Sequence, residues 1–423
     1  MYILPLSQKI IRPYTDKSIA FMLAELQLFI MIFPFADLAA AVPIFKIFNT
    51  VANLLNAVLT ALSFFYILHL NSVNFRLRDH YVLIVFVALM VISMGWVHPA
   101  MAADSKTFVI RTLITILRTF VIVQIFTERP GKFLDILKRF AIIITILSTL
   151  FILIYKEESN WFLKEPERHQ SFFSSPNNLG QFIAFAFIMI NFYKRKELSL
   201  PVLLFLDGLL FFEAHKCDSM TSQLGVIVCF AAYNFRFLLR PLFYVWIALG
   251  IAIPMYTHHN ASTKAEQIEF ANRDMTFTGR SDVWDIEFKD MDRLKKNTLG
   301  FGAGGYYGET LWHPKSTLDN LEWEPHQGHN GYLDIRVMMG IVGLVLLIIF
   351  LLEFIETLFV KKKILEDVTF FLPLIIIINN FTETSLFRTR HFYFVIFMGI
   401  YWYVKQKNIL PAVHKKQSEA EPA

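Results

Sequence analysis

Long apolar runs alternate with short polar breaks along most of this chain, and the runs are too long and too uniform for ordinary core helices. Tyr81 to Trp96, Ala141 to Tyr155 and Ile341 to Leu352 are almost unbroken stretches of aliphatic and aromatic residues. Such runs predict helices surrounded by hydrocarbon rather than amphipathic helices with one wet face. Twelve spans give the simplest parse, centred on Phe29, Leu59, Val87, Leu117, Thr149, Phe187, Leu206, Val228, Leu249, Leu346, Ile377 and Phe397. The alternation fails once at length, from about Thr257 to Asn330, where polar residues dominate until apolar character resumes after Gly331. The expected fold class is an all-α integral membrane protein of about 12 transmembrane helices, with one large extracytoplasmic loop containing short amphipathic helices. Residues 1–257 hold spans one to nine, 258–330 the loop, 331–404 spans ten to twelve, and 405–423 a polar tail.

Charge gives this parse an orientation. Cytoplasmic loops retain an excess of lysine and arginine, and with the N-terminus inside, the basic residues of alternate loops divide about 21 against 8. The richer set includes Lys9, Arg12 and Lys17, then Lys194, Arg195 and Lys196, then Lys361, Lys362 and Lys363. Both termini are thereby predicted to be cytoplasmic and the polar island extracytoplasmic. The first span follows basic residues without a small-residue cleavage site, which predicts a retained helix and not a removed signal peptide.

Composition agrees, with 55% hydrophobic and only 18% charged residues in 423. The net charge of +5 sits mostly in short loops, so it reports topology and implies no nucleic-acid partner. Cys217 and Cys229, read on one continuous helix, stand about 18 Å apart, beyond disulfide reach.

Within the island the pattern sharpens at Ser281, which can cap a helix carrying Asp282 and Asp285 in its first turn. Trp284, Phe288, Met291 and Leu294 form one stripe, Lys295 and Lys296 close it, and Gly300 can end it. An amphipathic helix over a membrane domain is expected. The following Gly300-Phe301-Gly302-Ala303-Gly304-Gly305-Tyr306 reads as a turn rather than a phosphate cradle, because no Lys-Ser or Lys-Thr follows it. Asp290-Met291-Asp292 reads as two solvated acids rather than a metal motif.

Several of these pieces, in order, resemble the O-antigen ligase and polysaccharide polymerase superfamily. They are Thr278-Gly279-Arg280 with Trp284, the Gly300-Phe301-Gly302 run, His329-Asn330-Gly331-Tyr332-Leu333, and Gly340-Ile341-Val342-Gly343. Arg168 with Ser175-Pro176-Asn177-Asn178 resembles an upstream element, and Asn380, Thr382, Glu383 and Ser385, placed in the eleventh span, resemble a later one. Two positions depart from the pattern: Ser219-Met220-Thr221 lacks an arginine, leaving Lys216 as the nearby cation, and Met338-Met339 stand where an acid is common.

The resemblance implies an enzyme of the bacterial inner membrane with its active site facing the periplasm. It would transfer an undecaprenyl-diphosphate-linked glycan to a sugar hydroxyl, either on lipid A core or on another lipid-linked glycan. No cofactor or metal is implied, and the partners are donor lipid, acceptor, membrane lipid and polysaccharide assembly proteins. His329 would be catalytic and Arg280 would bind the donor diphosphate. Arg168, Arg111 and Lys216 would supplement its charge. Inversion at the anomeric carbon follows from direct displacement.

The residues themselves fit these roles and also admit plainer ones. Histidine titrates near neutral pH and suits proton transfer, but His329 can equally cap the tenth helix. His326, three residues earlier, raises a metal reading that two histidines do not sustain. Arginine grips phosphate with a planar fork of donors, although Arg280 can pair with Asp282 or Asp285 in a solvated loop. Arg111 and Arg118 share nearly one helix face, and Arg118 is expected to find an acid such as Asp207. The rival reading is a twelve-span transporter or flippase for a lipid-linked or anionic solute; the His-Asn-Gly-Tyr-Leu-Asp form leans toward a polymerase, with the ligase still open.

Overall fold

The computed structural model describes residues 13–33, 46–70, 77–126, 131–155, 168–260, 269–270, 273–274, 280–308, 313–314, 316–318, 325, 327–362, 365–388 and 391–406. Helices account for nearly all of it. In chain order they are α1 (Pro13–Ile32), α2 (Lys46–Leu70), α3 (Tyr81–Ile92), α4 (Ala102–Ile125), α5 (Gly131–Ile154), α6 (Pro176–Phe192) and α7 (Leu200–Cys217). There follow α8 (Met220–Asn234), α9 (Leu239–Asn260), α10 (Arg280–Arg293), α11 (Gly331–Val360), α12 (Val368–Asn379) and α13 (Phe392–Gln406). The exception is a two-residue antiparallel ladder pairing Glu269–Phe270 with Arg273–Asp274.

Each of the twelve centres read from the sequence falls inside one of these helices, and the added helix, α10, is the amphipathic one. Among the described residues, five helical segments are long and apolar enough to cross a membrane: Leu77–Trp96, Pro99–Ile125, Gly131–Ile154, Arg236–His259 and Gly331–Val360. Cys217 closes α7 and Cys229 lies within α8, so the two cysteines occupy different helices, and both are free.

The chain divides into two compact units. The first comprises residues 1–75, 116–218 and 398–423, the second 76–115 and 219–397. In the first, α1 packs on α2 through Ile30, Ala52 and Leu59, and the Gln27 amide donates to Thr60 Oγ1 at 2.9 Å. Helices α5, α6 and α7 pack mutually. Polar groups pair across these helices, buried Thr149 Oγ1 donating to Glu213 Oε1 at 2.8 Å and half-buried Asn191 Nδ2 to Asp207 Oδ1 at 2.8 Å. Asp207 is thus tied to Asn191 and not to Arg118, whose buried Nε has no hydrogen-bond partner among the described residues.

In the second unit α11 packs on α3 and α9, while α12 packs on α8 and α9. Helix α11 is broken at Gly340, with φ +65° and ψ −165°. The groups freed by the break are satisfied by the glycine-rich segment. Phe301 and Gly302 N–H donate to the carbonyls of Val337 and Met338 at 2.9 and 2.7 Å, and Ile341 N–H donates to Asn297 O at 2.8 Å. Ala303 N–H donates to Ser93 Oγ at 2.9 Å. The glycines serve a backbone-to-backbone dock, since a Cβ on Gly300 would meet Met338 C at 2.5 Å.

Candidate active site

Helix α10 seats an apolar stripe on the start of α11. Val283, Trp284, Phe288 and Met291 are buried with Leu333, Val337, Phe301, Tyr306 and Phe381. This is the predicted face, with Leu294 partly buried beside it. Two details differ from the reading. Arg280 opens the helix, so Ser281 lies in its first turn. Its end is set by Lys295 at φ +57°, which lets Lys296 N–H reach Met291 O at 2.7 Å, and Gly300 is used instead for the dock on Met338.

The acids of α10 are not all solvated. Asp290 is 1% exposed and accepts from Tyr306 Oη at 2.8 Å and Thr317 N–H at 3.2 Å, whereas Asp292 stays at the surface. Glu287 is fully buried and accepts from Tyr307 Oη at 2.8 Å. Burial, reinforced by the field of Asp334, pushes the Glu287 carboxyl well above the ordinary range.

These anchors fix the segment that carries His329. Gly328 is held on both sides, its carbonyl accepting from Trp284 Nε1 at 2.7 Å and its N–H donating to Asp334 Oδ1 at 2.9 Å. His329 then adopts φ +53°, a left-handed conformation that histidine tolerates better than bulky residues do. Asn330, and not His329, caps α11: its Oδ1 accepts from Tyr332 and Leu333 N–H at 3.0 Å each, and its Nδ2 donates to Gly250 O and Phe381 O. The capping role that competed for His329 is therefore taken by its neighbour.

Arg280 and His329 converge on Glu383. Arg280 Nη2 lies 2.7 Å from Glu383 Oε1, and His329 Nδ1 lies 3.1 Å from Glu383 Oε2. Gln327 Nε2 donates to Glu383 Oε2 at 2.9 Å, and its Oε1 accepts from Arg388. Burial alone would raise the Glu383 carboxyl. The charges of His329 and Arg280 outweigh burial and hold it well below the usual carboxylate range. An ionised Glu383 requires the proton of the 3.1 Å contact to reside on His329 Nδ1, so the neutral form of the ring, the one that can act as a base, accepts a proton at Nε2.

Neither acid offered by the sequence holds Arg280 in a solvated pair. Asp285 instead meets His258 Nδ1 at 2.9 Å and Lys289, while the Arg280 side chain is only 15% exposed. Nor do Asn380, Thr382, Glu383 and Ser385 lie within a span. Helix α12 ends at Asn379, and these residues form a turn closed by Asn380 Oδ1 accepting from Ser385 and Leu386 N–H at 3.1 and 2.9 Å. Gly331 N–H donates to Asn380 O at 2.9 Å, tying the turn to the start of α11.

Arg168 and Lys216 belong to the first unit. There Arg168 Nε donates to Cys217 O at 3.2 Å and its Nη2 reaches Asn177 Oδ1 at 3.4 Å, while His169 N–H donates to Lys216 O at 2.9 Å. The guanidinium thus covers carbonyls at the end of α7. Arg111 is half-buried in α4. His326 lies outside the described residues.

Sequence reading missed three participants: Glu383 as the hub, Gln327 and Arg388. Gln327 stands two residues before His329, whereas Glu383 lies 103 residues from Arg280, a pairing that no local pattern encodes. No family model, curated protein or solved structure matches the chain.

Proposed function

We propose that this chain is a membrane glycosyltransferase that moves a glycan from undecaprenyl diphosphate to a sugar hydroxyl on the extracytoplasmic face. The observation that carries the reading is the convergence of Arg280 and His329 on one buried carboxylate at the start of α11. One residue supplies positive charge for a diphosphate leaving group, the other a proton acceptor, and Glu383 orients both.

In the reaction His329 Nε2 takes the acceptor hydroxyl proton as that oxygen forms a bond to the anomeric carbon. The bond from that carbon to the phosphate oxygen breaks, and undecaprenyl diphosphate departs with the electron pair. Arg280 stabilises the charge that develops, so configuration inverts and the step draws on no metal. Polymerisation of a surface polysaccharide and ligation to lipid A core share this step and differ in acceptor.

Purified protein in proteoliposomes with an undecaprenyl-diphosphate-linked glycan, with and without acceptor, tests the reading. Lysine keeps charge but loses the fork, so Arg280→Lys should retain part of the transfer activity and Arg280→Ala should lose roughly tenfold or more. Wild-type rates in Arg280→Ala would reduce the residue to a structural cation. Movement of the lipid across the bilayer without product would favour the transporter or flippase, a reading supported by the buried Nε of Arg118, which has no hydrogen-bond partner among the described residues.

The proposed enzyme sits in a bacterial inner membrane with twelve spans, both termini cytoplasmic and α10 outside. Thr298 and Lys362 are exposed on opposite sides of α11 in this topology. Cysteines placed at the two positions should label from opposite faces of sealed vesicles, and labelling from one face would reject the twelve-span arrangement.

A further inference from the structure

We propose that Arg388 and Arg280 form a two-point clamp for a prenyl diphosphate, with Glu383 as the counter-ion that occupies the clamp at rest. The inference rests on the function proposed above and names a cation that the sequence pattern did not single out.

Four side chains form a continuous bridge. Arg280 Nη2 meets Glu383 Oε1 at 2.7 Å, Glu383 Oε2 accepts from Gln327 Nε2 at 2.9 Å, and Gln327 Oε1 accepts from Arg388 Nη1. The amide can take only this orientation, because its oxygen must face the guanidinium and its NH2 the carboxylate. A guanidinium therefore stands at each end, with one acid and one neutral amide between.

The charges do not balance within this bridge. Both arginines are permanently charged, and Glu383 supplies a single negative charge. Asp334 feels the charge of Arg388, but its oxygens are hydrogen-bonded by Gly328 N–H and the Thr384 hydroxyl and by neither guanidinium. Among the described residues Arg388 has no carboxylate in ion-pair range, and its partner is the Gln327 amide. An amide oxygen meets one or two of the five donors of a guanidinium and none of its charge. A half-buried cation in that state favours an incoming anion.

The arrangement selects for two linked charges. A monophosphate can engage one guanidinium and leave the other on Gln327, whereas a diphosphate presents a phosphoryl group to each. Because Glu383 also holds His329, displacement of its Arg280 contact by the ligand leaves the carboxylate to the histidine.

Binding of farnesyl diphosphate, farnesyl monophosphate and inorganic pyrophosphate to purified full-length protein tests the clamp. Wild type should hold farnesyl diphosphate roughly 10- to 100-fold more tightly than the monophosphate, the scale of one added charge-assisted contact. In Arg388→Gln that preference should fall to near unity, with monophosphate affinity retained. Arg388→Lys should keep an intermediate preference, and this variant decides the matter if the glutamine variant does not fold. An unchanged preference in both variants, with the diphosphate still bound, would overturn the clamp and leave the glycosyltransferase reading standing. Pyrophosphate binding as tightly as farnesyl diphosphate would assign the site to a soluble diphosphate and overturn the lipid-borne ligand. Failure of wild type to bind any of the three would sink the proposed function together with the clamp.

Discussion

Replacing His329 with alanine should lower glycan transfer by roughly a hundredfold or more, the usual scale for loss of a general base. Donor binding should persist, because the proposed diphosphate contacts belong to the arginines. The backbone at this position has φ +53°, which alanine adopts less readily than asparagine does. His329→Asn is therefore the companion variant: it keeps the left-handed turn and cannot accept the proton, so its loss of activity should match that of alanine. Transfer rates and donor affinity are to be measured separately in both. Full transfer by His329→Ala would remove the residue from the chemistry, and a loss in alanine with normal rates in asparagine would trace the effect to the turn. The helix itself should survive either change, since Asn330 supplies the cap.

How much of this was legible differs by element, for physical reasons. The helices were legible because apolar runs of membrane-spanning length have few other uses, and every predicted centre falls within one. The stripe Trp284, Phe288 and Met291 was legible because three- and four-residue spacing places side chains on one face. Burial of Asp290 was not, because an acid's environment depends on what folds over it, here Tyr306 and Thr317 from a distant loop. The hub was legible only in part. Arg280 and His329 could be chosen by chemistry, but their meeting on Glu383 depends on a turn after α12 that the hydropathy pattern assigned to a span. Lys295 shows the opposite limit: a left-handed helix end was expected at a glycine, and a lysine adopts it, while Gly300 packs against Met338.

Gly340→Ala should destabilise the protein by roughly 2 to 6 kcal/mol, combining a strained backbone at about 1 to 3 with overpacking at about 1 to 3. At φ +65° and ψ −165° the residue occupies a region nearly restricted to glycine, and a Cβ there would collide with the Thr298 carbonyl. Thr298 cannot retreat cheaply, because its carbonyl accepts from Val342 N–H and the adjoining Asn297 carbonyl accepts from Ile341 N–H. The break also lets Phe301 and Gly302 dock, so the damage should spread from α11 to the apolar contacts of Phe301 with α10. Since α10 begins at Arg280, donor binding should weaken even in folded Gly340→Ala protein. Gly208→Ala is the control: a Cβ at that glycine meets nothing within 4 Å, and the change should be neutral or slightly stabilising. Thermal unfolding in detergent, followed by tryptophan fluorescence, compares the two. Equal stability of both variants would mean that α11 straightens at no cost, and the dock on its break would then lose its role in holding α10 in place.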